Sequence, residues 1–374
     1  MHYHILLTEL CNSQCRYCYK KSMSEEEFDS NKLKKKFEFD FSAPAKSEVN
    51  AKKLRKFLEK DPDPTLVFYG GEPLLEIEKI KEIMTALKDS KCKFRMQTNG
   101  LLLNELPSTY TNRISKILIS LDGTKERTDF NRGKGTYDKV MKNIQFIHKN
   151  GYKGEIIARM TISEHSDICK QVKSLISAGF TSIHWQLDAG FYQSDFNKAE
   201  FAYFVDEYNE EISKLVDFWI GDMKINNRVL LLYPFVAIIH SLLRNETSLL
   251  RCGAGHSGYA ITTDGKVIAC PIMNCIKDFE AGDLETEPWQ LKKFQIKGRC
   301  LKCKDKDLCG GRCLYWNYAN LWPEEGDDLI CKTIHHLISE LKRVLPEVKA
   351  LIKEGSIKQK DFDYEKYFGP EIIP

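Results

Sequence analysis

The cysteines of this chain are placed too unevenly to be scattered core residues. Of thirteen in 374 residues, Cys11, Cys15 and Cys18 sit together near the start. Eight more, Cys252, Cys270, Cys275, Cys300, Cys303, Cys309, Cys313 and Cys331, fall in one later stretch. An odd total excludes complete intramolecular disulfide pairing, and the density is far below that of a small disulfide scaffold. Clustered cysteines then point to metal binding or redox chemistry in a reducing compartment, so a cytoplasmic location is expected. Cys92 and Cys169 stand alone beside apolar patterns and read as small buried hydrophobes.

Other features exclude whole classes. The opening MHYHILLTEL has no basic region followed by a long apolar run and a cleavage site. The most apolar run, residues 229–239, contains Pro234 and is far shorter than the roughly 20 residues of a membrane span. It reads as buried core. A net charge of +3 with mixed signs gives no electrostatic case for nucleic acid or a membrane surface.

The first 200 or so residues alternate two patterns. Short runs rich in Ile, Leu and aromatics predict strands at His4–Leu7, Leu66–Tyr69, Phe94–Gln97, Ile117–Leu121, Ile156–Thr161 and Ile183–Leu187. Between them, Leu54, Phe57 and Leu58 follow Ser47 as a cap, Ile77, Ile80, Ile83, Met84 and Leu87 recur at helical spacing, and so do Val140, Ile144 and Ile147. Such alternation predicts an α/β fold with a parallel sheet or barrel and chemistry at the carboxyl ends of its strands. Six strands are too few for a complete eight-fold barrel. Residues 20–46 interrupt the rhythm as an inserted loop, hairpin or lid, with Lys32, Lys34, Lys35 and Lys36 as a solubilising edge. Residues 201–243 read as helical, and the chain after Arg251 as turn-rich. The expected organisation is 1–225, then 226–345, then a tail of 346–374 that forms a peripheral helix and a loose end.

Cys11-x3-Cys15-x2-Cys18 follows directly on the first strand. A four-iron cluster normally takes four thiolates, and three leave one iron open. A zinc site short of one ligand, or a loop of free thiols, are the alternatives. The string CRYCY, with Tyr17 in the aromatic slot, resembles the signature of the radical S-adenosylmethionine (SAM) superfamily. The resemblance implies a partial (β/α)6 barrel and a [4Fe–4S] cluster that binds SAM and cleaves it reductively to a 5′-deoxyadenosyl radical. Further segments fit it. Gly70-Gly71-Glu72-Pro73 follows the second strand; a glycine pair there lets backbone approach a ligand closely, and Glu72 offers an acceptor for the SAM ammonium. Asn99 lies in a TNG segment after the third strand. Ser120 ends the fourth, and Arg132 follows as a fork for the SAM carboxylate. Arg159, inside an apolar strand, needs a buried anion or a structural partner, and Gln186 in another strand faces the site or satisfies backbone.

The later cysteines read Cys252-x12-Gly265-x4-Cys270, a gap, Cys300-x2-Cys303-x5-Cys309-x3-Cys313, a gap, Cys331. This order resembles the SPASM extension of radical SAM enzymes. By that resemblance Cys252, Cys270 and Cys313 would hold a first auxiliary [4Fe–4S] cluster, and Cys300, Cys303, Cys309 and Cys331 a second. The fourth ligand of the first is open among Cys275, His256 and substrate. Residues 260–269 read as a hairpin turning at Gly265 and presenting Cys270. A four-cysteine zinc site is the alternative.

Together the resemblance is to the archaeal peptide-modifying branch of these enzymes, related to anaerobic sulfatase-maturating enzymes and to maturases that crosslink peptides through thioethers. It implies oxidative modification of a peptide or protein side chain, with an external electron donor of flavodoxin or ferredoxin type. With strand one at residue 4, leader recognition is expected from a separate protein or not at all. A radical SAM oxidoreductase acting on a small cofactor precursor, and a non-catalytic zinc-binding protein, are the other readings.

Overall fold

A computed structural model describes residues 1–18, 36–163, 165–188 and 196–368. Most of the expected 20–46 insert, with Lys32, Lys34 and Lys35, lies outside the described residues. The strands among the described residues are β1 (His2–Leu6), β2 (Thr65–Tyr69), β3 (Lys93–Thr98), β4 (Ile114–Ser120), β5 (Glu155–Ile162), β6 (Ser182–Leu187), β7 (Leu231–Leu232), β8 (Gly258–Ile261), β9 (Lys266–Ile268) and β10 (Glu280–Asp283). All six strands expected from the sequence are present, each within a few residues of its expected bounds.

The chain forms two compact units. The first comprises residues 1–121, 125–157 and 253–295. Its strand order is β10-β9-β8-β1-β2-β3-β4. From β8 to β4 the neighbours are parallel, with His4 level with Val67 and with Ala260. Only the hairpin β8–β9 and its neighbour β10 run antiparallel. Every residue of β2 is buried, which explains its unbroken apolar sequence. Residues 253–295 therefore belong with the amino-terminal strands in space, although the sequence order places them far away.

Helices α1 (Ala51–Glu59), α2 (Ile77–Ala86), α3 (Lys125–Arg132) and α4 (Thr136–Lys149) follow strands of this unit. They bury the faces that the spacing predicts: Leu54, Phe57 and Leu58 on α1, Ile80, Ile83 and Met84 on α2, Val140, Ile144 and Ile147 on α4. Each such side chain contributes about 1.5–3 kcal/mol. The cap of α1 is Asn50 rather than Ser47. Asn50 accepts from the Lys52 and Lys53 amides, whereas the Ser47 amide donates to Leu7 O while its hydroxyl accepts from Val49 N at 3.3 Å. The chain is still bound to the end of β1 at Ser47 and turns into helix only afterwards. Residues 36–46 are likewise fastened to the unit: Phe39 bridges Ile276, and the Phe37 ring lies 5.4 Å from Phe279.

The second unit comprises residues 122–124, 158–252 and 296–374. Its strands run β5-β6-β7, all parallel. Its helices include α5 (Ile168–Ser177), α6 (Lys198–Asn226), α7 (Tyr233–Arg244), α8 (Leu314–Ala319) and α9 (Glu324–Glu354). The apolar 229–239 run becomes β7 and the start of α7, with Pro234 in the first turn where its missing amide hydrogen is harmless. The helix expected in the tail from 346 on is the end of a longer one: α9 passes through Pro346 and runs for 31 residues. The tail is held too. Phe362 is fully buried and packs 6.1 Å from the Trp219 ring. Among the described residues no helix is long and apolar enough to cross a membrane.

Candidate functional site

The first cysteine loop leaves the carboxyl end of β1 and is fixed by backbone contacts to the turn after β2 and by side-chain contacts to the turn after β3. The Gly71 amide donates to Thr8 O at 2.7 Å, and the Glu72 amide to Leu10 O at 2.8 Å. This approach leaves no room for side chains. A Cβ on Gly70, whose φ is +135°, would lie 2.5 Å from Thr8 O, and one on Gly71 would overlap the Leu10 carbonyl. The close approach that the glycine pair allows is thus to the cysteine loop's own backbone. Farther along, the Arg16 amide donates to Asn131 O, and Ser13 Oγ to Arg132 O, tying the loop to the end of α3.

Several residues singled out in the sequence gather around this loop. Asn99 donates its side-chain amide to Asn12 Oδ1 at 2.7 Å and reaches Cys11 Sγ at 3.8 Å. Arg132 is buried; one guanidinium nitrogen lies 3.9 Å from Cys15 Sγ, and the group sits 5.3 Å above the Tyr17 ring. N–H groups aimed at sulfur are what thiolate ligands need, because they stabilise the negative charge and fix ligand orientation. Ser120 closes β4. Glu72 is fully buried. Its carboxylate accepts from Leu74 N at 3.0 Å, Thr98 Oγ1 at 2.7 Å and Asn99 N at 2.8 Å. Burial pushes its pKa up to about 7, against the opposing pull of these donors. A carboxylate has about four acceptor sites, so three donors leave Glu72 room for roughly one more. Asn12 was not singled out from the sequence, since nothing in an isolated Asn marks it as a brace, and Thr98 entered there only as the first residue of the TNG segment.

Arg159 lies on β5 in the second unit and bonds Gln186 Oε1 at 2.7 Å. The two polar residues in apolar strands answer each other diagonally: Gln186 is level with Thr161, two residues along from Arg159, which is level with His184.

A cavity of about 250 Å³ opens beside the loop. Cys11, Cys18, Gly70 and Gly71 line it, as do Asn274 and Cys275 from the turn after Cys270. Burial raises the Cys275 thiol to about 11, and the Glu9 carboxylate adds to the shift. Burial likewise raises Cys11, with Glu72, Cys15 and Cys18 adding to it.

Cys252, Cys300, Cys303, Cys309, Cys313 and Cys331 belong to the second unit, Cys270 and Cys275 to the first. Four of the second unit's thiols are linked to one another through Cys300. Burial raises Cys331 to about 11, and Cys300 and Cys309 reinforce the shift; Cys303 does the same to Cys300, and Cys300 to Cys309. Their frame is well tied: Asp305, between Cys303 and Cys309, bonds His335 Nδ1 at 2.6 Å and Lys342 Nζ at 3.4 Å on α9. Among the described residues no group of three or more His, Cys, Asp or Glu side chains converges tightly enough to hold a metal ion as it stands. Cys92 and Cys169 are buried, as expected.

Residues 5–190 match the radical SAM superfamily. The chain is a radical SAM protein. An uncharacterized protein of Archaeoglobus fulgidus is 25% identical over 338 residues, 85% of this chain and 74% of the relative. The cysteine-type anaerobic sulfatase-maturating enzyme of Clostridium perfringens is 24% identical over 330 residues, 81% of this chain and 85% of that enzyme. Among solved structures, anSMEcpe with bound AdoMet superposes with a TM-score of 0.67 at 18% identity, covering 95% of this chain and 98% of the other. SuiB of Streptococcus suis, bound to its precursor peptide SuiA, gives 0.53 at 13% identity, covering 85% and 72%. At these identities the superpositions establish the fold. A radical SAM domain implies a [4Fe–4S] cluster and SAM. The donor set fits: three neighbouring thiols on one loop, two of them met by N–H groups, suit an iron–sulfur cluster with one iron left open.

Proposed function

We propose that this radical SAM protein oxidatively modifies a side chain of a peptide or protein, and that its later cysteines form a SPASM-type region holding two auxiliary [4Fe–4S] clusters. The observation that carries this reading is the extent of the likeness to the sulfatase-maturating enzyme. It spans 330 residues, well beyond the radical SAM domain at 5–190, and so reaches into the cysteine-rich region. The peptides bound in the neighbouring structures, a Cp18Cys peptide on anSMEcpe and SuiA on SuiB, support the same substrate class.

In this reading Cys11, Cys15 and Cys18 hold the first cluster. Gly70, Gly71, Glu72, Asn99, Ser120, Arg132 and Tyr17 surround SAM, and Arg159 is a further candidate already engaged by Gln186. Cys300, Cys303, Cys309 and Cys331 would hold one auxiliary cluster, a reading supported by their links through Cys300. Cys252, Cys270 and Cys313 hold the other, with Cys275 or His256 as candidates for its fourth ligand. The cluster and SAM supply one electron and a carbon-centred radical that takes a hydrogen atom from substrate. The chain's own residues orient and shield. Glu72 presents its remaining acceptor site to an ammonium, Arg132 balances thiolate charge beside Cys15, and the apolar pocket walls exclude water. An external electron donor of flavodoxin or ferredoxin type and a separate leader-binding protein complete the proposal.

Anaerobic iron and sulfide analysis tests the cofactor content: about twelve irons per chain match three four-iron clusters, whereas zinc with little iron refutes the reading. Mass spectrometry of a cysteine-bearing peptide after turnover with reductant and SAM tests the activity. A mass loss of paired hydrogens supports oxidation, and SAM cleavage with unchanged peptide refutes it.

A further inference from the structure

Three consecutive residues of the second unit, Gly310, Gly311 and Arg312, take left-handed backbone, with φ of +71°, +92° and +56°. Glycine adopts this conformation readily. Arg312 carries a long side chain on backbone that disfavours one, and strain of this kind points to a use for the side chain. Its Nε is buried and has no hydrogen-bond partner among the described residues. Buried donors are ordinarily paired, so this one marks the place of an acceptor. The guanidinium lies 5.4 Å from the centre of the Trp316 ring. Asp327 does not supply the acceptor. Its carboxylate accepts from Trp316 Nε1 at 2.8 Å, and Arg312 acts on it through charge alone.

The other groups that feel Arg312 include two thiols. Burial pushes Cys309 and Cys331 up, and the Arg312 charge pulls both down. The Gly311 and Arg312 backbone amides donate to the Cys309 sulfur, so the turn that strains Arg312 also aims N–H groups at a ligand candidate. A neutral thiol is a weak acceptor, whereas an anionic sulfur suits several donors and a cation at once. This donor set therefore fits an iron–sulfur cluster better than free thiols. Reduction adds negative charge to such a cluster, so N–H groups and positive charge beside its sulfurs favour the reduced form and raise its potential. We propose that Arg312 sets the potential of the auxiliary cluster on Cys300, Cys303, Cys309 and Cys331: its Nε–H donates to a sulfur of that cluster, and donor and charge together make it easier to reduce. The inference rests on the auxiliary-cluster reading above. Its consequence is an order among the clusters, since of clusters otherwise alike the one beside Arg312 takes an electron first.

The test uses anaerobically reconstituted holoenzyme. A dithionite titration followed by electron paramagnetic resonance gives the midpoint potential of each cluster, and the signal that Cys309→Ala removes is assigned to this one. Arg312→Gly deletes the side chain where left-handed backbone favours glycine, so fold and iron content are expected to be kept. At a given potential its ratio of reduced to oxidised cluster is expected to fall about tenfold, a shift of about 59 mV for one electron. Arg312→Lys keeps the charge and loses the Nε donor. Its midpoint is expected between those of the wild-type and glycine proteins, and it serves where the glycine variant fails to fold. An unchanged midpoint in Arg312→Gly with all its iron present overturns the inference and leaves the auxiliary clusters standing. A lysine midpoint equal to the wild-type value overturns the assignment of Nε–H as the donor. Loss of about four irons from Arg312→Gly overturns the inference by making Arg312 a structural support of the site. Zinc in place of iron, or no signal removed by Cys309→Ala, overturns the inference together with the reading beneath it.

Discussion

The amino-terminal cysteine loop and the carboxyl-terminal cysteine region solve opposite problems. The loop's thiols meet polar neighbours from other elements, Asn99 at Cys11 and Arg132 at Cys15, and an open cavity lies beside them. The thiols at 300, 303, 309 and 331 instead have one another as neighbours, in a frame braced by Asp305 against α9. The loop's thiols lie beside an open space, whereas the later thiols lie against one another. In the reading proposed above, proximity to a pocket rather than the number of cysteines would separate a reactive centre from an accessory one.

The sharpest way to break this comparison is to remove one thiol from each region. Cys15→Ala is expected to reduce 5′-deoxyadenosine release, measured under reduction by chromatography, to background. Cys309→Ala is expected to lose about four irons per chain while retaining that release and failing to convert peptide. Equal loss of SAM cleavage in both would erase the distinction between the regions. The next largest effect falls on the loop's support. Gly71→Ala would force the Leu10 carbonyl away and is expected to destabilise the folded protein by about 1–3 kcal/mol, as overpacking does, with weakened SAM binding; urea denaturation checks the first and dialysis the second.

How far the sequence alone carries depends on the kind of contact. The parallel strands were legible because strands buried on both faces are continuous apolar runs, as Thr65–Tyr69 shows. The ligand loop was legible because metal ligation demands a local spacing. Contacts that join remote positions left no local trace. Glu9 and Asn274 meet only because the chain returns to β1 through β8, and the use of Glu72 as a brace depends on Thr98 and Asn99 from another strand. Local context also misled at Ser47, a good cap residue held extended by Leu7.

A smaller effect concerns Glu72. Its folded pKa is raised from 4.5 to about 7, so the folded protein binds this proton more tightly than the unfolded chain does. The contribution of this group to stability is therefore most favourable below about pH 4.5 and declines as pH rises to about 7. Denaturation midpoints across this window are expected to fall more steeply in the wild-type protein than in Glu72→Gln; parallel slopes would refute the assignment. The smallest effect belongs to the second unit. A double-mutant cycle on Arg159→Leu and Gln186→Leu is expected to give a coupling of about 0.5–1.5 kcal/mol without changing SAM affinity. A change in SAM affinity with Arg159→Leu would make it a cofactor contact.

The pairing of β1 with β8 has a consequence for how the protein is made. β1 emerges from the ribosome first, but the strand that covers its second edge begins at Gly258. At about 5–20 residues per second, the nascent chain spends roughly 10–50 s with that edge unpaired and the three thiols beside it unfinished. Until the late strand arrives this edge is open to wrong pairing, so the order of synthesis makes protection of the nascent chain matter most in that interval.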